Sequence, residues 1–329
     1  MNRRSFIHTL AGSLLAAPLA AEAQRIGRIP QIGVLWHAGN EQEERIPLGA
    51  LRQGLRDLGY FEGKSIVLEN RFPNEQPAGF VNLAADLAEL KVDVLIAVTR
   101  PAALAAQRAT ATIPIVFMAV PDPVGDKLVD NLARPGKNIT GITNMALQLT
   151  TKRIELLREA IPGLSRMALL VNMSHPEGAR RYIEMGQTTA RALGLTLQPV
   201  EVSGVDDFPR AFALMSKSKA EGVSVTVDGL FYAEQSRLIR LALEYRLPMM
   251  MYSREMAEAG ALLSYGPSNV ASFLRTAYFI DKILKGVKPS DLPVEQPPVI
   301  ELLINGKTAK TLGLTIPQAL LLRADQVIE

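Results

Sequence analysis

The order of the apolar segments most constrains the fold of this chain, because one strand-helix pattern occurs twice. The first copy contains five short β-rich runs separated by amphipathic stretches, at residues 32–36, 65–72, 92–98, 113–120 and 139–143. The second copy repeats this order at residues 166–172, 195–202, 222–228, 247–253 and 261–266. Strands that alternate with helices are typical of a parallel sheet covered on both faces. We therefore predict an α/β fold with two doubly wound parallel-sheet lobes.

Short sequence signals at matching positions support the duplication. In each copy a Leu-Gly pair follows the first helix pattern, and an apolar residue followed by proline opens the fourth strand. The pairs are Leu58 and Gly59, Leu193 and Gly194, Ile113 and Pro114, and Leu247 and Pro248. Two such lobes face each other across a cleft, and doubly wound sheets bind ligands beyond the carboxyl ends of their strands.

The C-terminal part of the chain predicts further passages between the lobes. A helix pattern at residues 270–286 precedes a proline-rich stretch, and the tail resembles a strand, a short helix and a closing segment. We expect a hinge of three crossings, near residues 144, 267 and 290. Lobe 1 then contains residues 30–143 and about 267–289, and lobe 2 contains residues 144–266 and about 290–329. The lobe that receives each part of the tail stays open.

The first 24 residues have the pattern of an export signal peptide. Arg3 and Arg4 precede a segment that resembles the twin-arginine pattern, and an apolar run extends over residues 7–21. This run is shorter than the roughly 20 residues that span a bilayer. Small residues follow it, so we predict cleavage near Gln24 and leave the twin-arginine and general secretion routes open.

Composition narrows the compartment and the chemistry. The chain contains no cysteine, which excludes disulfides, thiolate metal sites, a cysteine nucleophile and a lipoprotein anchor. An exported protein without an anchor is expected in the periplasm of a Gram-negative cell, and we expect a monomer there. A formal charge of +3 and the lack of a basic stripe argue against nucleic acid. With three histidines in the whole chain, we predict no metal ion and no cofactor.

Four long segments carry a resemblance to a known family. They are ATIPIVFMAVPDPVGDKLVDNLARPGKNITGIT, EYRLPMMMYSREMAEAGALLSYGPS, KILKGVKPSDLPVEQP and ELLINGKTAKTLGLTIPQALLLRADQVIE. They resemble ABC-transporter substrate-binding proteins of the tryptophan/tyrosine-transporter type, which have the type I periplasmic binding fold. The resemblance implies a soluble receptor that closes around a small molecule and delivers it to ABC permease subunits in the inner membrane. It does not identify the ligand.

Candidate ligand-binding residues in lobe 1 follow the predicted strands. Trp36 ends the first strand, where its ring would stack on a planar ligand or belong to the core. Thr99 and Arg100 follow the third strand, and Arg100 would pair with a ligand carboxylate or lie solvated at the cleft rim. Asp122, after the fourth strand, would accept a hydrogen bond from a ligand amine or cap a helix. Asn144 marks the first hinge.

Lobe 2 offers candidates at corresponding positions. Asp228 has the same two interpretations as the aspartate of lobe 1, a ligand contact or a helix cap. Tyr252 and Ser253 follow the fourth strand of this copy, and Tyr265 ends the fifth. We expect Tyr252 to form an aromatic wall of the cleft. Together with the arginine and the tryptophan of lobe 1, it favours an aromatic amino acid or aromatic carboxylate as ligand.

Two other functional classes stay open. A periplasmic sensor that signals to a membrane protein has the same two lobes and the same cleft. A periplasmic hydrolase would use Asp122 or Asp228 with a histidine, although the sequence contains no G-x-S-x-G, P-loop, H-E-x-x-H or G-x-G-x-x-G motif. We predict a binding protein rather than an enzyme.

Overall fold

The first five strands form one parallel sheet in the order β2-β1-β3-β4-β5. In the computed structural model, which describes residues 28–174 and 176–329, every predicted strand of the first copy is present. All five residues of the third and fifth strands are buried, as expected for strands with helices on both faces. The strands are β1 (Gln31–Leu35), β2 (Val67–Arg71), β3 (Val94–Val98), β4 (Ile115–Val120) and β5 (Ile139–Thr143).

The second sheet repeats this arrangement and extends it. Its order is β12-β11-β10-β9-β8-β6-β7, and every neighbouring pair is parallel except β10 with β11. The strands are β6 (Arg166–Asn172), β7 (Thr196–Val202), β8 (Val223–Val225), β9 (Met249–Met251), β10 (Leu263–Pro267), β11 (Ile300–Asn305) and β12 (Gln326–Ile328). The order β7-β6-β8-β9-β10 matches the first sheet strand for strand, so the predicted fold class is confirmed.

Helices connect the strands and cover both sheets. Those after β1, β2 and β3 are α1 (Arg45–Asp57), α2 (Pro77–Glu89) and α3 (Arg100–Ala109). The second half contains α4 (Ala146–Ala160), α5 (Pro176–Ala192), α6 (Phe208–Lys217), α7 (Gly229–Ala233), α8 (Gln235–Glu244) and α9 (Arg254–Glu258). The C-terminal part contains α10 (Asn269–Leu284), α11 (Gly306–Leu312) and α12 (Gln318–Leu321). No helix in residues 28–174 and 176–329 has the length and apolarity needed to cross a membrane.

Helix α10 returns to the first sheet and packs against α1. Phe273 and Ala277 belong to the same buried cluster as Leu51, on the apolar face that the spacing of leucines predicts. A Cβ atom at Gly54 would lie 2.8 Å from the backbone oxygen of Leu274, so glycine permits the close approach of the two helices.

Three segments carry the chain between the sheets. The first follows β5, the second lies between β10 and α10, and the third follows Glu295, whose backbone bonds to Gly141 and Thr143 beside β5. Leu292 and Val294 still pack in the cores of the first sheet, and β11 starts at Ile300. The third passage therefore lies after residue 295, later than the expected position near 290. The division into two lobes at these passages stays a prediction, and the predicted signal peptide lies outside the described residues.

Candidate binding site

A cavity of about 640 Å³ lies between the two sheets. Its lining comes from segments that follow all five strands of the first sheet and strands β6 to β10 of the second. In doubly wound sheets the carboxyl ends of the strands are where ligands bind. The volume lies within the range of cavities that enclose small organic molecules.

The side of the cavity formed by the first sheet, which we call the first wall, carries several charged groups that pair with one another. His37 Nδ1 lies 2.8 Å from Glu75 Oε1, and His37 Nε2 lies 3.2 Å from Glu44 Oε1. Burial lowers the pKa of His37, but the neighbouring carboxylates outweigh this effect and raise the pKa above its ordinary value. Burial also raises the pKa of Glu44.

A second group of charges on the first wall includes Arg100. Its Nε lies 2.9 Å from Asp126 Oδ1, although the N–H does not point at the carboxylate. The Asp126 side chain is only 2% exposed and lies 3.3 Å from Nη2 of Arg181, a residue of α5 on the other side of the cavity. Arg181 also forms a salt bridge with Asp122. An ion network therefore joins the two sides at this end of the cavity.

The opposite side, the second wall, is formed by residues of the second sheet. The hydroxyl of Tyr252 donates to the backbone oxygen of Asp228 at 2.8 Å, and burial raises the pKa of this tyrosine well above its ordinary value. The Asp228 carboxylate accepts from Asn172 Nδ2 at 2.8 Å and from Leu230 N at 2.9 Å, which caps α7. The helix-cap interpretation of Asp228 is thus realised, and a ligand contact by it stays a prediction.

The walls also touch at the end of the cavity beside His37. The ring of Tyr232, from the second wall, meets the His37 ring edge-on at 5.6 Å between centroids. A Cβ atom at Gly229 would lie 2.2 Å from Glu75 Oε1, so the glycine admits this carboxylate against the start of α7. The walls therefore contact each other here as well as at the ion network of Arg181.

Several buried polar atoms around the cavity have no hydrogen-bond partner among residues 28–174 and 176–329. A buried polar group without a partner costs about 1–3 kcal/mol, so a cluster of them indicates where a polar ligand is recognised. The atoms on the cavity lining are Thr99 Oγ1, Arg100 Nε, Asp126 Oδ2, Tyr182 OH, Ser253 Oγ and Ser272 Oγ.

Two doubly wound sheets with a cavity between the carboxyl ends of their strands indicate a protein that binds a small molecule. The sequence matches the family described as ABC transporter substrate binding protein over residues 44–328. The chain belongs to this family. Its members bind the substrates of ABC importers outside the cytoplasm, in the periplasm or an equivalent extracytoplasmic space.

Named relatives agree with this assignment. The tyrosine-binding protein of Clostridioides difficile (strain R20291) is 24% identical over 262 residues, which are 80% of this chain and 75% of that protein. A conserved domain protein of Vibrio cholerae is 28% identical, with a TM-score of 0.84 over 91% of this chain and 100% of its own. The ABC domain of Streptococcus pneumoniae in complex with L-Trp is 24% identical, with a TM-score of 0.84 over 92% of this chain and 100% of its own. The predicted family and its type I periplasmic binding fold are confirmed.

Most of the predicted ligand-binding residues of this substrate-binding protein line the cavity. They are Thr99, Arg100, Asp122, Asn144, Asp228, Tyr252 and Ser253. Asn144 lies at the first passage between the sheets, where its side chain donates to Ala119 O at 3.0 Å and accepts from Ala146 N at 3.1 Å. Asp122 Oδ1 accepts from Gly125 N at 2.8 Å, so this carboxylate stabilises its own turn as well as pairing across the cavity.

Trp36 does not line the cavity. Its side chain is fully buried between the rings of Phe72 and Phe273, at centroid distances of 6.4 and 5.4 Å, and Nε1 donates to Asn70 Oδ1 at 2.8 Å. This placement corresponds to the core interpretation. Phe273, which rests on the indole ring, lies on the cavity lining instead.

Tyr265 also lies away from the cavity lining. It occupies β10 opposite Leu302 and packs against the core on the far side of the second sheet. Its backbone oxygen accepts a hydrogen bond from Arg153 Nε at 2.7 Å. The expectation that the end of this strand points into the cleft holds for Pro267 and not for Tyr265.

Sequence reasoning missed Arg181 and Tyr182, which line the cavity from α5. Their segment contains several charged residues and resembles a solvated helix. The signal that would have found them is position: α5 starts just beyond the carboxyl end of β6, so its first turns face the cleft.

Proposed function

We propose that this protein captures an aromatic amino acid or an aromatic carboxylate for an ABC importer, by closure of two lobes around the ligand. The observation that carries the proposal is the cavity itself, which combines aromatic and apolar side chains with buried polar atoms that lack partners. Its aromatic lining consists of Phe273, Tyr182, Tyr232 and Tyr252. Such rings provide large apolar contact and favourable stacking with an aromatic ligand.

The named relatives support this ligand class. One is called a tyrosine-binding protein, and another was solved with L-Trp bound. Apolar side chains that include Val98, Met118 and Leu147 continue the lining beside the rings. The space and the chemistry of the cavity therefore suit a ligand with one aromatic ring system and a polar end.

Contacts from both walls support capture by closure. A ligand in this cavity touches residues that follow strands of both sheets, so an arrangement with the walls apart would offer only half of the contacts. Binding then favours the closed arrangement, because a ligand shifts an equilibrium toward the state that binds it better. The ion pairs of Arg181 and the contact of Tyr232 with His37 further stabilise the closed state.

Export and delivery complete the proposal. The signal-like residues 1–24 would place the mature chain in the periplasm as a monomer. From there it would deliver its ligand, chemically unchanged, to the permease subunits of an ABC importer in the inner membrane.

A thermal-shift screen tests the proposed ligand class. The chain from Gln24 onward is heated with L-tryptophan, L-tyrosine, aromatic acids, aliphatic amino acids and neutral sugars. A ligand that binds only the folded protein at a hundred times its Kd stabilises it by about 2.7 kcal/mol. We expect the aromatic amino acids or acids to give the largest rise in Tm, and chromatography to recover the ligand unchanged. A rise produced only by sugars or aliphatic amino acids would contradict the proposal.

A further inference from the structure

One buried arginine behind the second wall has no acidic partner in the described part of the chain. Arg153, in α4, is only 1% exposed. Its Nε donates to Tyr265 O at 2.7 Å and Nη1 donates to Ala146 O at 3.3 Å, while Nη2 has no hydrogen-bond partner among the described residues. None of the salt bridges within residues 28–174 and 176–329 includes this guanidinium.

A buried charge of this kind is costly. Removing an ion from water without a counterion costs several kcal/mol, so buried charges in proteins are nearly always paired. Burial lowers the pKa of Arg153 to about 10, which leaves the guanidinium charged at neutral pH. Two carbonyl oxygens and the Tyr252 ring contact this guanidinium, but no carboxylate among the described residues neutralises its charge.

The guanidinium lies directly behind residues that line the cavity. Its central carbon is 5.9 Å from the centre of the Tyr252 ring. A Cβ atom at Gly266 would lie 3.4 Å from Nη2 and 2.0 Å from Tyr252 O, so the unpartnered nitrogen and this carbonyl oxygen both lie against Gly266. The positive charge is therefore close to the carboxyl end of β9, where the second wall meets the cavity.

Two hydroxyls on the same wall lack partners. Tyr182 is 7% exposed and Ser253 is 5% exposed; both line the cavity, and neither hydroxyl has a hydrogen-bond partner among the described residues. Burial raises the pKa of Tyr182; the positive charges of Arg153 and Arg181 oppose that rise, while the carboxylates of Asp228 and Asp126 add to it, and Arg153 has the largest effect of these four charges. Both hydroxyls are able to donate to an anion in the cavity.

The arginines on the cavity lining are placed differently. Arg100 pairs with Asp126, and Arg181 pairs with Asp122 and Asp126, so two carboxylates already neutralise two guanidinium groups. A ligand carboxylate at Arg100, as the sequence suggested, would have to compete with a carboxylate that is almost fully buried. Of the three arginines at or behind the cavity walls in residues 28–174 and 176–329, Arg153 is the one without a carboxylate partner.

We infer that the ligand carboxylate binds the second wall, where it accepts hydrogen bonds from the hydroxyls of Tyr182 and Ser253, and that Arg153 attracts it from behind this wall. The inference rests on the proposed function and sharpens it, because it defines the polar end of the ligand. The ligand is a carboxylate, and an aromatic amine or amide of the same shape is discriminated against. Arg153 is a positioning residue, since it acts through the wall rather than by contact.

The first test compares each acid with its neutral amide. Isothermal titration measures L-tryptophan, L-tyrosine and their primary amides, which keep the ring and the ammonium group. We expect the amides to bind at least about tenfold more weakly to the wild type, since a hydrogen bond to a charged group contributes more than one to a neutral group. Tyr182→Phe should weaken the acids about ten- to hundredfold and the amides far less. Tyr245→Phe, which alters an exposed tyrosine away from the cavity, should change neither.

Arg153 is tested by the ratio of the two affinities. In Arg153→Met the preference for acid over amide should disappear, and Arg153→Lys, which keeps the charge, should retain part of it. A purely structural role would weaken acid and amide by the same factor and leave the ratio unchanged. If Arg153→Met does not fold, the role of the charge is tested by Arg153→Lys, and the position of the carboxylate is tested by the ratio of acid to amide affinity in Tyr182→Phe.

The outcomes separate the inference from the proposed function. If aromatic acids and their amides bind the wild type equally, the inference is wrong and the aromatic ligand class stands. If aliphatic but not aromatic amino acids bind, the same variants are measured with L-leucine and its amide; an acid preference lost in Tyr182→Phe supports the inference and overturns the aromatic class. If no carboxylate binds, the inference is overturned.

Discussion

The two walls of the cavity differ in whether a positive charge lacks a counterion. On the first wall, Arg100 is paired with Asp126 and His37 with Glu75. The second wall also contributes an arginine and an aspartate that are bonded to other groups. Behind it, however, Arg153 has no acidic partner among residues 28–174 and 176–329. Both walls present unpartnered hydroxyls within these residues, so the uncompensated charge rather than the hydroxyls distinguishes the second wall as the place for a ligand carboxylate.

The largest effects are expected from matched glycine substitutions in the two sheets. A Cβ atom would lie 2.0 Å from Phe117 O at Gly141 and 2.0 Å from Tyr252 O at Gly266. We expect Gly141→Ala and Gly266→Ala each to destabilise the protein by about 3 kcal/mol, because neither carbonyl is able to move freely. Urea unfolding measures this loss.

Ligand binding should distinguish these two variants. Only Gly266 lies beside Arg153 and Tyr252, so only Gly266→Ala should also weaken binding of an aromatic acid to the folded protein. Titration at a temperature where both variants are folded provides the comparison. Equal affinities of the two variants would contradict the claim that the ligand carboxylate binds the second wall.

Breaking the ion network across the cavity should have the next largest effect. Arg181→Gln removes the pairs with Asp122 and Asp126 and leaves a nearly buried carboxylate with Arg100 alone. Loss of one partner of a buried charge pair should weaken ligand binding about ten- to hundredfold by destabilising the closed state. Small-angle scattering with ligand should then show less compaction than in the wild type. Arg210→Gln, which removes an exposed pair with Asp207, is the control and should bind normally.

The strands and the positions where they end are the features that the sequence predicts most directly. The strands and their order along the chain followed from apolar runs and turns, and the strand ends placed seven of the nine candidate residues on the cavity lining. The predicted strand at 222–228 ends already at Val225, because the chain then turns to place Asp228 as the cap of α7. Local sequence patterns therefore predicted the strands, and most of their ends to within a few residues.

Local sequence patterns could not predict which individual side chains are buried. Trp36 follows β1, but whether its ring points into the cleft or the core depends on α10, which comes from far along the chain. Arg153 lies in a charged segment that resembles a solvated helix face, and its burial arises from the packing of α4 under the ends of β9 and β10. Tertiary contacts, not local sequence, created the unpaired charge.

The histidine end of the first wall should show a pH dependence of moderate size. Despite the cost of burial, the carboxylates of Glu43, Glu44 and Glu75 raise the pKa of His37 above its ordinary value of 6.5. Its stabilisation is therefore complete below pH 6.5 and is lost as the pH rises through the raised pKa. The raised pKa of Glu44 acts in the same direction from pH 4.5 upward.

We expect the Tm of the wild type to decrease as the pH rises across this transition, because the stabilisation by protonated His37 is lost. His37→Gln should flatten the profile between pH 6.5 and the end of the transition, measured by calorimetry at constant ionic strength. A wild-type Tm that rises over this interval would contradict the assignment.

The smallest effect should come from single serine hydroxyls, and it compares the walls directly. Ser253 and Ser272 both line the cavity with an unpartnered hydroxyl, one on each wall. Ser253→Ala should weaken binding of an aromatic acid about tenfold, the lower end of the effect of one hydrogen bond to a charged group. Ser272→Ala should leave the preference for acid over amide unchanged. A larger loss of that preference in Ser272→Ala would move the carboxylate to the first wall.

The position of the bound carboxylate tests the central claim most directly. A crystal structure of the protein with L-tryptophan, or with the aromatic acid that gives the largest thermal shift, would show that group in electron density. We predict a carboxylate oxygen about 2.7 Å from the hydroxyl of Tyr182 or Ser253, the usual distance for such a hydrogen bond, with Arg100 still paired with Asp126. A carboxylate bound to Arg100, with Asp126 displaced, would contradict the account.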